Sequence, residues 1–244
     1  MGTLRLGNDV VVPSVVAKEL VNKQKFGVSI DNFLGDVDSE GICSAPVKGF
    51  DFIADGVKDV GNDALYYAFV YKSINSVLFP VLTMISGSRA CSYAFSNCSN
   101  LTSVSFPALT TISGSSACNG MFGYCYGLTS VSFPELTTIS GSNACNSMFY
   151  VCSNLTSVSF PELTTISGSN ACNSMFLVCS KLSSVSFPAL ATVERSDCMP
   201  ANMFQGCSKL TEIHFRADAQ TTIEGQSGYA SKFGATNATI YFDL

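Results

Sequence analysis

The 22 residues LTSVSFPELTTISGSNACNSMF occur twice without a change, at Leu128–Phe149 and Leu155–Phe176. No other feature of the sequence restricts the fold as tightly. Aligned on Phe-x-x-Cys, repeat units begin at Ile74, Leu101, Leu128, Leu155 and Leu182, and a sixth opens at Leu210. The first four are 27 residues long and the fifth runs to 28, with one extra residue near Cys198–Pro200. An earlier, degenerate unit is visible in VKDVGNDALYYAFVYKS, where Phe69 matches the repeated phenylalanine and Lys72 replaces its cysteine. Seven turns, some partial, therefore cover about residues 50–215. One unit of this size cannot bury its own apolar side, but a stack of them shares a continuous core, so the period predicts a solenoid.

Within a unit, LTSVSF reads as a short strand. Leu101, Val104 and Phe106 point inward, and Ser103 and Ser105 lie on the opposite face. Pro107 ends it, because proline cannot donate to a ladder. Leu109 and Ile112 form a second apolar pair. SGS turns the chain, its glycine expected to supply whatever dihedral the bend needs. ACNGMFGYC is expected to be a short helical or 3-10 segment that buries Ala117, Phe122 and Cys125.

The pattern AFSNCSNLTSVSFPALTTI (Ala94–Ile112) resembles the BspA-like branch of leucine-rich repeats, whose units read A-F-x-x-C-x-x-L-x-x-V-x-I/F-P followed by V/L-x-x-I. The match extends from about Val57 to Phe215 and recurs in every unit. The sequence departs from that pattern by about four residues around SGSNAC, which carries an additional cysteine. The resemblance implies a leucine-rich-repeat-like solenoid of short β-strands with short helical or 3-10 turns, and places the cysteine after the phenylalanine inside the coil. The tail HFRADAQTTIEGQSGYASKFGATNATIYFDL is similar to tails of repeat proteins from gut bacteria and their phages.

Of eleven cysteines, Cys98, Cys125, Cys152, Cys179 and Cys207 form one column, read as structural and buried. Cys91, Cys118, Cys145 and Cys172 form another, with Cys198 an imperfect member and Cys43 outside both. The in-repeat spacing C-x6-C is unlike the C-x2-C of zinc knuckles, and one histidine is too few to help, so neither metal nor cofactor is expected. A column of five cannot pair off, and the total is odd. Free thiols acting as small hydrophobes are the expectation.

Charge excludes one class of partner. No Lys or Arg occurs between Cys91 and Ser180, so the basic stripe that binds a phosphate backbone is missing and no nucleic acid is expected. No apolar run approaches the roughly 18–20 residues of a membrane span. MGTLRLGNDVVVPSVV lacks the basic lead and long apolar run of a signal peptide, so a chain made in the cytoplasm is expected, reaching a virion or cell surface by another route.

Catalysis has little to build on, and no enzyme is expected. His214, in LTEIHF, takes the outward strand position equivalent to Ser105 and reads as an exposed surface residue. Asp36, Asp38 and Glu40 lack calcium-loop spacing. The sequons at Asn100, Asn154 and Asn237 read as ordinary turns.

Two surfaces remain as candidate sites. The sheet face presents Ser103, Ser105, Ser130, Ser132, Ser157, Ser159, Ser184 and Ser186, a flat hydroxyl ladder suited to glycans or another protein. The second is the edge after each repeated phenylalanine, where otherwise copied units read Ser96-Asn97, Gly123-Tyr124, Tyr150-Val151, Leu177-Val178 and Gln205-Gly206. Those positions are either unconstrained or the place where recognition is written, with Ser96, Asn97, Tyr124, Tyr150, Val151, Leu177, Val178 and Gln205 as candidate contacts.

Three segments follow: an N-terminal β-rich cap or docking segment over 1–49, the solenoid over 50–215, and a C-terminal αβ cap over 216–244. The first contains an expected strand, turn and second strand (TLRLGNDVVVPSVV) and a brief helix (VAKELVNKQKFG). The last contains an expected short helix and closing strand. The functional expectation is a non-enzymatic recognition or adhesion module for a cell-surface protein or glycan, carried on a phage virion through 1–49 and engaging a bacterial host. A bacterial surface adhesin and a self-associating fibre or shell protein are the alternatives.

Overall fold

The structure is a computed structural model that describes residues 2–5, 29–31, 50–54 and 56–244. The strand, helix and loop expected between 10 and 28 and between 32 and 49 lie outside those residues, as do Cys43, Asp36, Asp38 and Glu40. The described chain is a stack of three-sided coils, two sides being sheets and the third a ladder of turns.

The first side is built from β1 (Gly2–Arg5), β2 (Ser29–Asp31), β3 (Phe50–Ile53), β4 (Ile74–Leu78) and β6 (Ser103–Ser105), in the order β2-β1-β3-β4-β6. It continues with β8 (Ser130–Ser132), β10 (Ser157–Ser159), β12 (Ser184–Phe187), β14 (Glu212–Phe215) and β15 (Thr239–Phe242). All pairs are parallel except β1 with β2. Register carries each serine onto its counterpart: Ser130, Ser157 and Ser184 align, as do Ser132, Ser159 and Ser186. The second side consists of two-residue strands, β5 (Met84–Ile85), β7 (Thr111–Ile112), β9 (Thr138–Ile139), β11 (Thr165–Ile166) and β13 (Thr192–Val193). Beyond Phe215, α1 (Gln220–Glu224) and a six-residue 3-10 stretch (Tyr229–Gly234) close the C-terminal end before β15 pairs with β14.

Period-two alternation produces the strands as read. Leu101, Val104 and Phe106 are buried while Ser103 and Ser105 are exposed, and Leu109 and Ile112 fill the corner. The copies superpose their rings as two phenylalanine ladders. Phe69, Phe95, Phe122, Phe149, Phe176 and Phe204 stack at 5.4–5.7 Å, and Phe79, Phe106, Phe133, Phe160, Phe187 and Phe215 at 5.3–5.8 Å. Each coil thus contributes two rings whose faces are covered by the next coil, burying a large apolar area with one repeated shape.

The SGS glycine has a different reason from the one expected. Gly114 and Gly141 do not have positive φ. They sit where coils touch: a Cβ on Gly114 would lie 2.0 Å from the Gly87 carbonyl oxygen, and one on Gly141 would lie 2.1 Å from that of Gly114. Close approach, not an unusual dihedral, demands glycine here.

Nor does ACNGMFGYC become a helix. Its amides alternate between two destinations. Ala117, Asn119, Met121, Gly123 and Cys125 donate to carbonyls three residues back, the bond type of a 3-10 turn. Ser116, Cys118, Gly120, Phe122 and Tyr124 donate instead to Ser142, Ala144, Asn146, Met148 and Tyr150 of the next coil. The ribbon stays flat because every fourth residue is left-handed: Ser116, Gly120 and Tyr124 have φ of 53°, 59° and 60°. Turns with positive φ at their third position, as type II turns require, therefore alternate with turns that have none. Ala117, Cys118, Met121, Phe122 and Cys125 face the core.

Candidate functional site

The left-handed residues form columns along the third side. Type II turns favour Gly or Asn at that position, and Asn143, Asn170 and Gly120 conform. Others do not. Tyr67, Tyr71, Tyr93 and Tyr124 have φ between 54° and 61°, and the β-branched Val151 and Val178 have 57° and 63°. Bulky side chains in this conformation are strained, by about 1–3 kcal/mol each.

Tyrosine is concentrated on this edge. Seven of the nine tyrosines fall between positions 66 and 150, on the turn ladder or beside it. Tyr67 stacks on Tyr93, with centroids 4.8 Å apart and planes 19° from parallel, and Tyr66 meets Tyr67 edge-on at 4.6 Å. Arg89 lies 5.0 Å above the Tyr66 ring and pairs with Asp63 at 2.7 Å. Further along, Tyr124 stands edge-on to Tyr150, with centroids 5.0 Å apart and an 86° interplanar angle, and Tyr126 flanks Tyr124. The hydrogen bond to Tyr150, with partial desolvation, raises the Tyr124 phenol above its ordinary range. Burial and the neighbouring Tyr66 and Tyr93 raise Tyr67.

Between these groups the edge is concave. A cavity of about 230 Å³ is lined by Tyr93, Ser96, Gly120, Gly123, Tyr124, Ser147 and Tyr150. Gly120 follows Tyr67 and Tyr93 in its column, and a Cβ there would lie 2.4 Å from the Tyr93 ring, so the missing side chain is what lets that ring lie across the edge.

The candidate edge residues are distributed unevenly around this cavity. Tyr124, Tyr150 and Ser96 line it, but Ser96 is buried rather than presented, its hydroxyl donating to the Gly123 carbonyl at 3.2 Å. Asn97 is half-buried and donates to the Ser96 hydroxyl at 3.0 Å. Val151 follows Tyr150 but is not part of the lining, and Leu177, Val178 and Gln205 belong to later coils, with Val178 and Gln205 exposed. Comparison of the two positions after each phenylalanine missed Tyr93, Gly120 and Ser147. Four residues before Asn97, Tyr124 and Val151, that column also differs between units, which was the signal to read.

On the sheet face, Ser103, Ser105, Ser130, Ser132, Ser157, Ser159 and Ser184 are exposed and Ser186 is half-buried. Beside them, Thr156 donates its hydroxyl to the Thr129 carbonyl at 2.9 Å, and Thr102 to that of Asn75 at 3.2 Å, fastening coil to coil. From β6 to β12 the face repeats the same serine pair, with Leu78 in the Ser105 position of β4 and Glu212 and His214 in place of the serines in β14.

The cysteines are internal. All ten described cysteines are buried and free. Cys98, Cys125, Cys152, Cys179 and Cys207 each donate the thiol to the phenylalanine carbonyl of the preceding coil, at 3.0–3.2 Å. Burial raises the thiols of Cys98, Cys152 and Cys207 to about 12. Such groups are poor nucleophiles at neutral pH.

His214 is less exposed than its strand position suggested. Its Nδ1 lies 2.9 Å from Asp243, its Nε2 3.7 Å from Glu212, and its ring stacks on Tyr241 at 4.8 Å. The final strand supplies Tyr241 and Asp243 follows it directly, so the contacts tie the C-terminal segment to β14. Among the described residues, no three His, Cys, Asp or Glu side chains converge into a metal-holding group, and no helix is long and apolar enough to cross a membrane.

A family model described as a BspA type leucine rich repeat region matches this chain in six copies, over residues 62–196 and 119–232. A search of the curated proteins returns no match. Among solved structures, the chain is similar to a leucine-rich repeat protein from Bacteroides ovatus ATCC 8483, at 20% identity and a TM-score of 0.41. That similarity covers 80% of this chain and 55% of the other, so the chain spans about half that protein's length.

Proposed function

Because the chain belongs to the BspA-type leucine-rich repeat family, matched over more than half its length, we propose that it is a non-enzymatic recognition module that binds a cell-surface protein or glycan through its turn edge. One observation carries this reading. Between β6 and β12 the sheet face is copied from coil to coil, whereas the tyrosines, the strained left-handed residues and the 230 Å³ cavity coincide on a single edge. Backbone strain collected at one place is a signature of sites, and tyrosine provides large, rigid contact area with a polar tip. The internal, protonated thiols and the partnered His214 supply no nucleophile there.

The finer form of the proposal places the module on a phage virion, attached through residues 1–49 and engaging a bacterial host. The similarity of the C-terminal tail to repeat proteins of gut bacteria and their phages supports that placement. Tail genes on either side of the coding sequence fit it; an anchor or export signal in the full gene fits a surface adhesin instead.

The test is adsorption of the fluorescently labelled chain to a panel of bacterial cells. Replacing Tyr124, Tyr150 and Leu177 by Ser is expected to abolish binding with an unchanged circular dichroism spectrum. Unchanged adsorption by the triple variant would refute the assignment of the edge.

A further inference from the structure

The cavity on the turn edge defines a ligand more narrowly than "protein or glycan". We infer that it is a subsite for one ring of a neutral saccharide; this rests on the recognition reading above.

Charge comes first. None of the residues lining the cavity is Asp, Glu, Lys, Arg or His, so nothing there compensates an ionic ligand, and a desolvated charge without a partner is costly. The ligand is therefore neutral. Size comes next. At about 230 Å³ the space falls below the roughly 300–1,000 Å³ of pockets that enclose drug-sized molecules. It holds a single ring with the remainder of the ligand outside, along the ladder.

Chemistry then separates two neutral candidates. Three phenol rings, Tyr93, Tyr124 and Tyr150, line the space, and the negative potential of an aromatic ring suits the C–H face of a pyranose. The same three phenols carry hydroxyls that can both donate and accept, whereas the Ser96 and Ser147 hydroxyls are turned to the Gly123 carbonyl and to Asn146 Oδ1. A sugar ring presents neighbouring hydroxyls that also do both. A proline-rich peptide presents acceptor carbonyls and fits a slot between parallel aromatic walls. Tyr124 and Tyr150 stand at 86° to each other and make no such slot. The saccharide is the better match.

Gly123 offers a way to close the subsite without disturbing the coil. Its φ is not positive, and an added Cβ would meet nothing nearer than 3.4 Å. The equivalent positions one and two coils later are Tyr150 and Leu177, so this backbone already accommodates large side chains. Gly123→Leu therefore fills the cavity with a residue the fold uses elsewhere.

The experiment screens the purified chain on a printed array of neutral oligosaccharides. The best binder is then titrated by tyrosine fluorescence, which is clean because the chain has no tryptophan. We expect saturable binding that weakens at least about tenfold in both Gly123→Leu and Tyr93→Ala, each with an unchanged melting temperature. Binding unaffected by Gly123→Leu would overturn the subsite. Saturation by a proline-rich peptide in place of any saccharide would overturn the ligand class. If the wild-type chain adsorbs to cells while no array sugar binds, the saccharide inference fails and the recognition reading survives. If neither cells nor sugars are bound, the recognition reading itself fails.

Discussion

The Cys152 thiol donates to the Phe122 carbonyl oxygen, 3.1 Å away in the preceding coil. That bond explains why the cysteine is copied with the rest of the unit. Alanine would fill less of the space and leave the carbonyl with one partner fewer, and serine is shorter than the sulfur-length reach requires.

Protonated, buried thiols set a limit at high pH. Burial raises Cys98, Cys152 and Cys207 from an ordinary value of 9.0 to about 12. The folded state holds these protons more tightly than the unfolded state, so their stabilisation is intact below pH 9. It is lost as pH rises from there towards about 12. Urea midpoints measured from pH 7 to 11 are expected to be flat to about pH 9 and then to fall steeply. At pH 8, iodoacetamide should leave the ten described cysteines unlabelled in buffer and label them in urea, as mass spectrometry will read.

The contacts between glycines predict an unequal pair of variants. Gly141→Ala places a methyl group 2.1 Å from the Gly114 carbonyl oxygen, which neither backbone can avoid. A loss of more than about 3 kcal/mol is expected, beyond the range of ordinary substitutions. Gly123→Ala meets only ordinary contacts and should change stability by less than about 1 kcal/mol. Parallel urea titrations compare them directly.

Strain at the turn edge should be removable. Val178 combines a φ of 63° with 39% exposure, so it gives up little burial when replaced. In the same column Asn97 adopts a φ of 60°, the conformation Asn tolerates. Val178→Asn is expected to stabilise by about 1 kcal/mol, a rise of roughly 2–4 °C in melting temperature. Differential scanning calorimetry would show it, and an unchanged or lower value would mean that the valine's packing outweighs its strain.

The strands and their inward residues were legible because alternation is local: Leu101, Val104 and Phe106 announce a face without reference to any other coil. The turn ladder was not. ACNGMFGYC has the composition of a short helix, and half of its amides do bond locally, as Ala117 and Met121 show. The other half, Cys118 and Phe122 among them, reach the next coil, and no local pattern records that. Gly114 does lie at a bend, but the contact that demands glycine there comes from Gly87, 27 residues earlier, and no local pattern records it. At the candidate site, Tyr124 and Tyr150 stood out by differing between otherwise identical units. Tyr93 and Gly120 act through a relation between neighbouring coils, in which one residue's missing side chain makes room for another's ring.

The alternation of amides on the third side has a directional result. Cys118 donates to Ala144, Cys145 to Ala171, and Cys91 to Ala117. Every inter-coil bond from a backbone amide on this edge points the same way along the stack, against the direction of the cysteine thiol bonds. The peptide dipoles therefore add instead of cancelling, as they do along a helix, and the edge has a donor end and an acceptor end. Unlike ends complement each other, and like ends set donor against donor. Along this edge the body has polarity, and at the C-terminal end the Phe233 carbonyl takes the ladder amide of Phe204 in the same sense.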